Sequence, residues 1–192
     1  PLQRLKKTVS LVDTEQLLND WPGLAERHRN AEFLILPFTG KSALVTHDPT
    51  DEPVQPRGPD GDAGMTATAA CSLSFDPMSV LICVNRSASL MRTLETSGKF
   101  VLNILSREDE AIANAFGSPA GKDSRFVNGD WYDVAGMPAL RSSLSSIACD
   151  VANTMDFGTH RVFAGVVRQV DNRQDLEELL YCNGQFRHLA NR

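Results

Sequence analysis

The sequence predicts a mainly β protein, a barrel or sandwich of antiparallel strands with peripheral helices. Three observations carry this. Strand-like runs recur along most of the chain, and two of them are long, near Leu144–Phe157 and Arg161–Asp171. Only two segments beyond residue 60 combine helical apolar spacing with a cap, one after Ser87 and one after Ser106. Strands do not alternate regularly with helices, as a doubly wound parallel sheet would require.

The elements follow in order. Residues 1–30 read as an N-terminal helical extension, with Asp13 or Thr14 capping "EQLLND" and Trp21-Pro22-Gly23 ending it. The main domain is expected over 31–192. It starts with strands "FLILPF" (Phe33–Phe38) and "SALVT" (Ser42–Thr46). His47–Gly64, rich in Pro, Gly and Asp and without periodicity, is expected to be a flexible loop. Strands at Thr66–Ser74 and Ser79–Asn85 are joined across Asp76-Pro77. Ser87 or Ser89 can cap a helix through Leu90, Met91 and Leu94, which Gly98 can end.

"KFVLNIL" (Lys99–Leu105) reads as a half-buried strand. Ser106-x-x-Asp109 opens a second helix with Ala111, Ile112, Ala115 and Phe116 as its buried stripe and Gly117 as its stop. Residues 118–140 read mostly as loop. The two long strands follow, and a last strand is expected at Glu178–Cys182, although "DLEELL" has helical propensity too.

Composition narrows the function. The 192 residues are 42% hydrophobic and 22% charged, enough for a real core without staples. The 19 Lys+Arg against 24 Asp+Glu give a net charge of −5, which argues against a nucleic-acid binder. Cys71, Cys83, Cys149 and Cys182 are widely spaced, with no Cys-x-x-Cys pair, so neither a zinc site nor a disulfide framework is implied. They suit a reducing cytoplasm. No apolar run approaches the ~18 residues of a membrane span. The basic start lacks the apolar core of a secretory leader.

The tested motifs fail. Gly117-x-x-x-Gly121-Lys122-Asp123 has one residue too few between its glycines for a phosphate loop, and Asp stands where Ser or Thr is needed. There is no Gly-x-Gly-x-x-Gly, no Gly-x-Ser-x-Gly and no His-Glu-x-x-His, and the four histidines are scattered. If the chain is an enzyme, the difficult chemistry belongs to an organic cofactor.

Several blocks carry a resemblance. "GMTATAACSLSFDPMSVLICVNRSASL", "KFVLNIL", "SRF", "GTH" and "LLYCNGQFRHL", in this order and spacing, resemble the flavin reductase family. More narrowly, they resemble the reductase components of two-component flavin-dependent monooxygenases. The likeness runs from Gly64 to Leu189, and Gly64–Ser89 is its specific part. It implies a six-stranded antiparallel Greek-key split β-barrel, the FMN-binding split barrel, with peripheral helices. It also implies a homodimer with flavin near the subunit interface. Hydride would pass from NADH or NADPH to FMN or FAD, and reduced flavin would go to a partner monooxygenase. The chain departs from the family at "SALVTHDPTDEP", before the specific block, and at Cys182-Asn183-Gly184-Gln185 after Tyr181.

On the residues, Thr66, Ala67, Thr68 and Ala69 are small enough for backbone groups to reach the polar edge of a flat ring; close packing of a neighbouring strand would equally select them. Cys83, Val84 and Asn85 would end the next strand beside the ring. Arg86, Ser87 and Ser89 stand where a helix begins and a phosphate could be held, although a serine there can be just a cap and Arg86 just a solvated charge. Arg125, with Phe126 in "SRF", could grip a phosphate or adenylate, or be an exposed Arg without a role. Gly158-Thr159-His160 resembles the family's nicotinamide turn, with a plain hairpin turn as the alternative. Tyr181 and Arg187 could line the same mouth or simply pack.

No catalytic acid or base is expected, because hydride transfer needs positioning, and no metal is expected. The competing expectations are a flavin-binding electron-relay or sensing module without reductase activity, and a barrel serving only dimer or partner contacts.

Overall fold

The computed structural model describes residues 42–47, 61–118, 125–173, 177–182 and 184–187. The expected helical extension, the Phe33–Phe38 strand and residues 48–60 of the expected loop lie outside them. The fold is mainly β, with antiparallel sheets and, among the described residues, two short α-helices. Eleven strands appear among the described residues. They are β1 (Ser42–His47), β2 (Asp62–Ala67), β3 (Ala70–Phe75), β4 (Met78–Asn85) and β5 (Lys99–Ile104). β6 (Trp131–Val134), β7 (Met137–Leu140), β8 (Ser145–Phe157), β9 (His160–Asn172), β10 (Leu180–Cys182) and β11 (Gln185–Arg187) follow. The helices are α1 (Met91–Ser97) and α2 (Glu110–Gly117).

Among the described residues the main sheet has seven strands in the order β2-β1-β5-β8-β9-β4-β3, one more than expected. The extra strand arises because Thr66–Ser74, read as one strand, is two. It breaks at Thr68-Ala69, and its halves β2 and β3 sit at opposite margins of the sheet. Laid flat, seven strands would span about 29 Å. Three virtual bonds of 3.8 Å keep Ala67 and Ala70 within about 11 Å. The sheet must therefore curl until its margins come close. No ladder joins β2 to β3, so it stays open along that seam.

β5 runs through the middle, and five of its six residues are buried. The half-buried expectation fails because β6 and β7, inside a stretch read as loop, form a hairpin that covers β5: Val134, Met137 and Ala139 pack with Val101 and Ala148. Its two-residue turn needs φ > 0 at both positions, and Ala135 (φ 53°) and Gly136 (φ 85°) supply it. Asn103, buried in β5, accepts hydrogen bonds from the Leu140 N–H (2.9 Å) and the Ser146 hydroxyl (2.8 Å), which pins the hairpin to the sheet.

α2 opens as expected. Asp109 Oδ2 accepts from the Ser106 N–H (2.8 Å) and hydroxyl (2.9 Å), and a 3-10 turn over Arg107–Asp109 leads into the helix. Its buried side chains are Ile112, Ala113 and Phe116 rather than Ala111, because the helix also faces Leu105, Leu140 and Leu179. α1 starts at Met91 with Leu90 in the cap position and no side-chain cap, so neither Ser87 nor Ser89 fills that role. Gly98 ends it in the left-handed region (φ 62°), as expected.

The long strands match closely at β8 and β9, and a two-residue turn with Gly158 at φ 56° joins them. The last expected strand is shorter than read. β10 holds Leu180–Cys182, while Glu178 makes only an isolated bridge to Ser106. His47 and Asp62–Gly64, read as loop ends, are strand residues paired between β1 and β2.

Candidate functional site

The seam brings the first candidates together. Thr68 and Ala69 form the exposed link between the sheet margins. The Ala69 carbonyl accepts from the Cys83 N–H at 2.9 Å, which sets the link beside the end of β4. Ala67 is buried. The Thr66 hydroxyl donates to the Ala113 carbonyl of α2 at 2.6 Å and so acts as a strut between sheet and helix.

At the end of β4 the side chains alternate. Val84 points into the core, fully buried, as do Val80 and Ile82. Leu81, Cys83 and Asn85 therefore occupy the opposite face. Burial, with Cys71 as a nearby second cause, pushes the Cys83 thiol above its ordinary pKa, so it stays protonated at neutral pH. Asn85 Oδ1 accepts from both the Ser87 N–H (2.9 Å) and the Ser87 hydroxyl (2.8 Å). That folds the chain tightly where it leaves the sheet. Ser87, Ser89 and Arg86 are exposed. The Ser87 hydroxyl proton is engaged by Asn85, so this hydroxyl faces outward as an acceptor.

β9 completes this part. His160 is the register partner of Asn85, and the Arg86 N–H donates to the Thr159 carbonyl at 2.9 Å. Directly opposed residues of an antiparallel pair share a face. Asn85 and His160 are thus side by side, with His160 Nδ1 held 2.9 Å from the Thr159 hydroxyl. On the other flank of His160 stands Phe157, its partner on β8, 78% exposed. The sequence reading missed Phe157. The signal was an aromatic directly before the Gly158 turn, three positions from His160 and hence opposite it in a two-residue hairpin. One row, Asn85–His160–Phe157, spans three strands.

The remaining candidates have contacts of their own. Arg125 is neither exposed nor spare. It is 8% exposed, and its guanidinium donates to the carbonyls of Gly64 (2.8 Å), Ser118 (3.0 Å) and Ala115 (3.3 Å). Burial lowers its pKa. It is a clamp between β2 and α2. Phe126 packs edge-on against Phe116 at 5.2 Å and beside Trp131. Tyr181 meets Phe186 edge-on at 5.3 Å within the separate β10–β11 sheet, and Arg187 is exposed on β11.

Chemically, the seam offers edge-strand backbone groups, small side chains at Ala67–Ala69, one amide, exposed hydroxyls and an imidazole. This set suits a flat heterocycle with a polar rim.

Comparison with known proteins identifies the family. A family model described as "Flavin reductase like domain" matches residues 38–190. An FMN reductase (NADH) RutF of Pseudomonas syringae pv. syringae is 32% identical over 153 residues, 79% of this chain and 83% of that protein. The reductase component of a FADH(2)-dependent resorcinol hydroxylase of Rhizobium sp. is 36% identical over 131 residues, 67% of this chain and 73% of its own length. A solved NADH:FAD oxidoreductase from Streptomyces globisporus, in complex with NAD and FAD fragments, has a TM-score of 0.66 at 26% identity. It covers 79% of this chain and 86% of its own.

Proposed function

The chain belongs to the flavin reductase-like domain family, and from that premise we propose that it is an NAD(P)H:flavin oxidoreductase that moves hydride from NADH or NADPH to FMN or FAD. The observation that carries the reading is the juxtaposition at the seam. Thr68-Ala69, Cys83 and Asn85 meet there, and His160 lies beside Asn85. The flavin-side and nicotinamide-side candidates are therefore neighbours, as transfer between two rings demands.

The residues fit a flavin. Ala67–Ala69 and the Cys83–Asn85 strand end would hold its ring edge, and Ser87 and Ser89 would face its tail. Arg125 is left out, since its donors are engaged. Bound flavin supplies the electron-accepting ring, and the nicotinamide supplies hydride. The chain would orient the two, and backbone groups of the edge strands would face the negative charge that develops. Thr66 and Asn85 fix the geometry through their own hydrogen bonds. No side chain need exchange a proton.

The reading includes three finer points. The curled, unclosed sheet is a Greek-key split barrel, supported by the two-residue link between its margins. The protein is a homodimer. Met155 (59% exposed) and Phe157 lie on the same face as Val162 and His160, an apolar surface suited to a second copy. It works in the cytoplasm and supplies reduced flavin to a partner monooxygenase; relatives named as reductase components of a hydroxylase and of a two-component halogenase support the second of these. Among the described residues no helix is long and apolar enough to cross a membrane.

One anaerobic titration tests the reading: FMN first, then NADH or NADPH. Flavin should bind and then bleach. A yellow protein that neither nucleotide bleaches would favour the electron-relay alternative. No flavin binding at micromolar concentrations would sink the proposal.

A further inference from the structure

The turn that carries His160 is held from two sides. On one side lie the Asn85–His160 register and the Arg86 N–H bond to Thr159. On the other lies Arg161, the next residue, whose side chain points to the opposite face of β9. Its Nε meets Asp156 Oδ1 at 2.5 Å and its Nη2 meets Asp156 Oδ2 at 2.8 Å. Its Nη1 pairs with Glu95 of α1. Asp156 and Arg161 are themselves opposed across β8 and β9, immediately before and after the Phe157–His160 turn. One guanidinium thus joins β8, β9 and the helix that follows Ser87-Ala88-Ser89.

We propose that Arg161 is the positioning residue of the nicotinamide side, keeping His160 beside Asn85 by clamping the β8–β9 turn to α1. The proposal rests on the reading that His160 faces the nicotinamide. A planar fork suits the task, since it grips one carboxylate with two bonds and has a third nitrogen for the second carboxylate. An isolated exposed ion pair would contribute little, but here the side chain is 25% exposed and the three charges form one network. The hydrogen bond from Arg161 holds the Asp156 carboxyl below its ordinary pKa, so this arm of the clamp is charged at neutral pH.

The test is FMN-dependent oxidation of NADH, or of NADPH if that is the better donor, by Arg161→Met, Arg161→Lys and Glu95→Gln, alongside thermal midpoints. Arg161→Met should raise the KM for the nicotinamide about ten-fold with kcat within about two-fold. Arg161→Lys should recover part of that. Glu95→Gln, which spares the Asp156 arm and the fold, should give a smaller rise in the same direction. A wild-type KM in both Arg161→Met and Glu95→Gln would overturn the clamp. So would a rise in KM that merely tracks lost thermal stability and that lysine does not relieve. A wild-type protein that oxidises neither nucleotide with FMN would sink the underlying reading, and the clamp with it. Activity with an unmoved KM in the variants would sink the clamp alone.

Discussion

Asn85 and His160 face one another across the β4–β9 ladder, so the end of β4 and the start of β9, the strands proposed to meet flavin and nicotinamide, share one rung. Residues so placed should be energetically coupled. Asn85→Ala removes the acceptor for two Ser87 groups and should weaken FMN binding about five-fold, the equivalent of about 1 kcal/mol. His160→Ala should act mainly on the nicotinamide KM. The double variant should depart from additivity by at least about 0.5 kcal/mol. A double-mutant cycle on flavin affinity and KM measures it, and strict additivity would contradict the shared rung.

Arg125 should behave as a structural clamp and not as an anion contact. Arg125→Met strips donors from three carbonyls, of Gly64, Ala115 and Ser118. The expected loss is about 2–4 kcal/mol of unfolding free energy. Urea denaturation reads this, with FMN affinity of the folded fraction changing less than three-fold. A wild-type midpoint with a large loss of flavin affinity would restore the phosphate role.

Gly165 in β9 has no room for a side chain. A Cβ there would lie 2.5 Å from Phe100 Cζ and 3.0 Å from Cys149 Cβ. Gly165→Ala should therefore cost about 1–3 kcal/mol, and adding Phe100→Leu should recover part of it. Thermal melts of the single and double variants decide the matter.

Cys149 should be inert until the protein unfolds. It is buried, and desolvation first, with Asp150 second, pushes its thiol up to about 12. The folded state thus favours the neutral thiol. Its contribution to stability is complete below the unfolded pKa of about 9 and is lost as pH rises toward 12. A thiol-reactive chromophore at pH 8 should label Cys149 only in denaturant, as peptide mapping would show.

Phe157→Asp should convert the proposed dimer to monomer in light scattering at micromolar concentration, because a charge would enter the apolar face shared with Met155. An unchanged mass would place the second copy elsewhere or remove it.

Much of this was legible beforehand, for physical reasons. β8 and β9 are long, β-rich and divided by a Gly, so their ends were found to within a residue or two. The capping box at Ser106–Asp109 is a local signal, and it formed as written. What escaped depended on contacts distant in sequence. "TATAACS" is uniform in composition, and nothing local marks the break at Thr68-Ala69 that sends its halves to opposite margins. The β6–β7 turn places an alanine at φ 53°, which residue preference argues against. Arg125 looked available because charge predicts solvent. Only the fold reveals the three carbonyls that bury it. Gly184, at φ 76° after Asn183, is a hairpin signal that the sequence reading passed over.

The two-residue link between β2 and β3 also bears on how the chain is made. β1–β2 and β3–β4 leave the ribosome early, yet neither hairpin's inner strand has its second neighbour until the C-terminal half arrives. β1 waits for β5, and β4 waits for β9. The β8–β9 hairpin is the keystone, fitted last between β5 and β4. Until residues 145–172 emerge, the nascent chain displays unpaired strand edges to its surroundings. Truncations that stop short of β9 should therefore aggregate rather than yield a smaller folded domain.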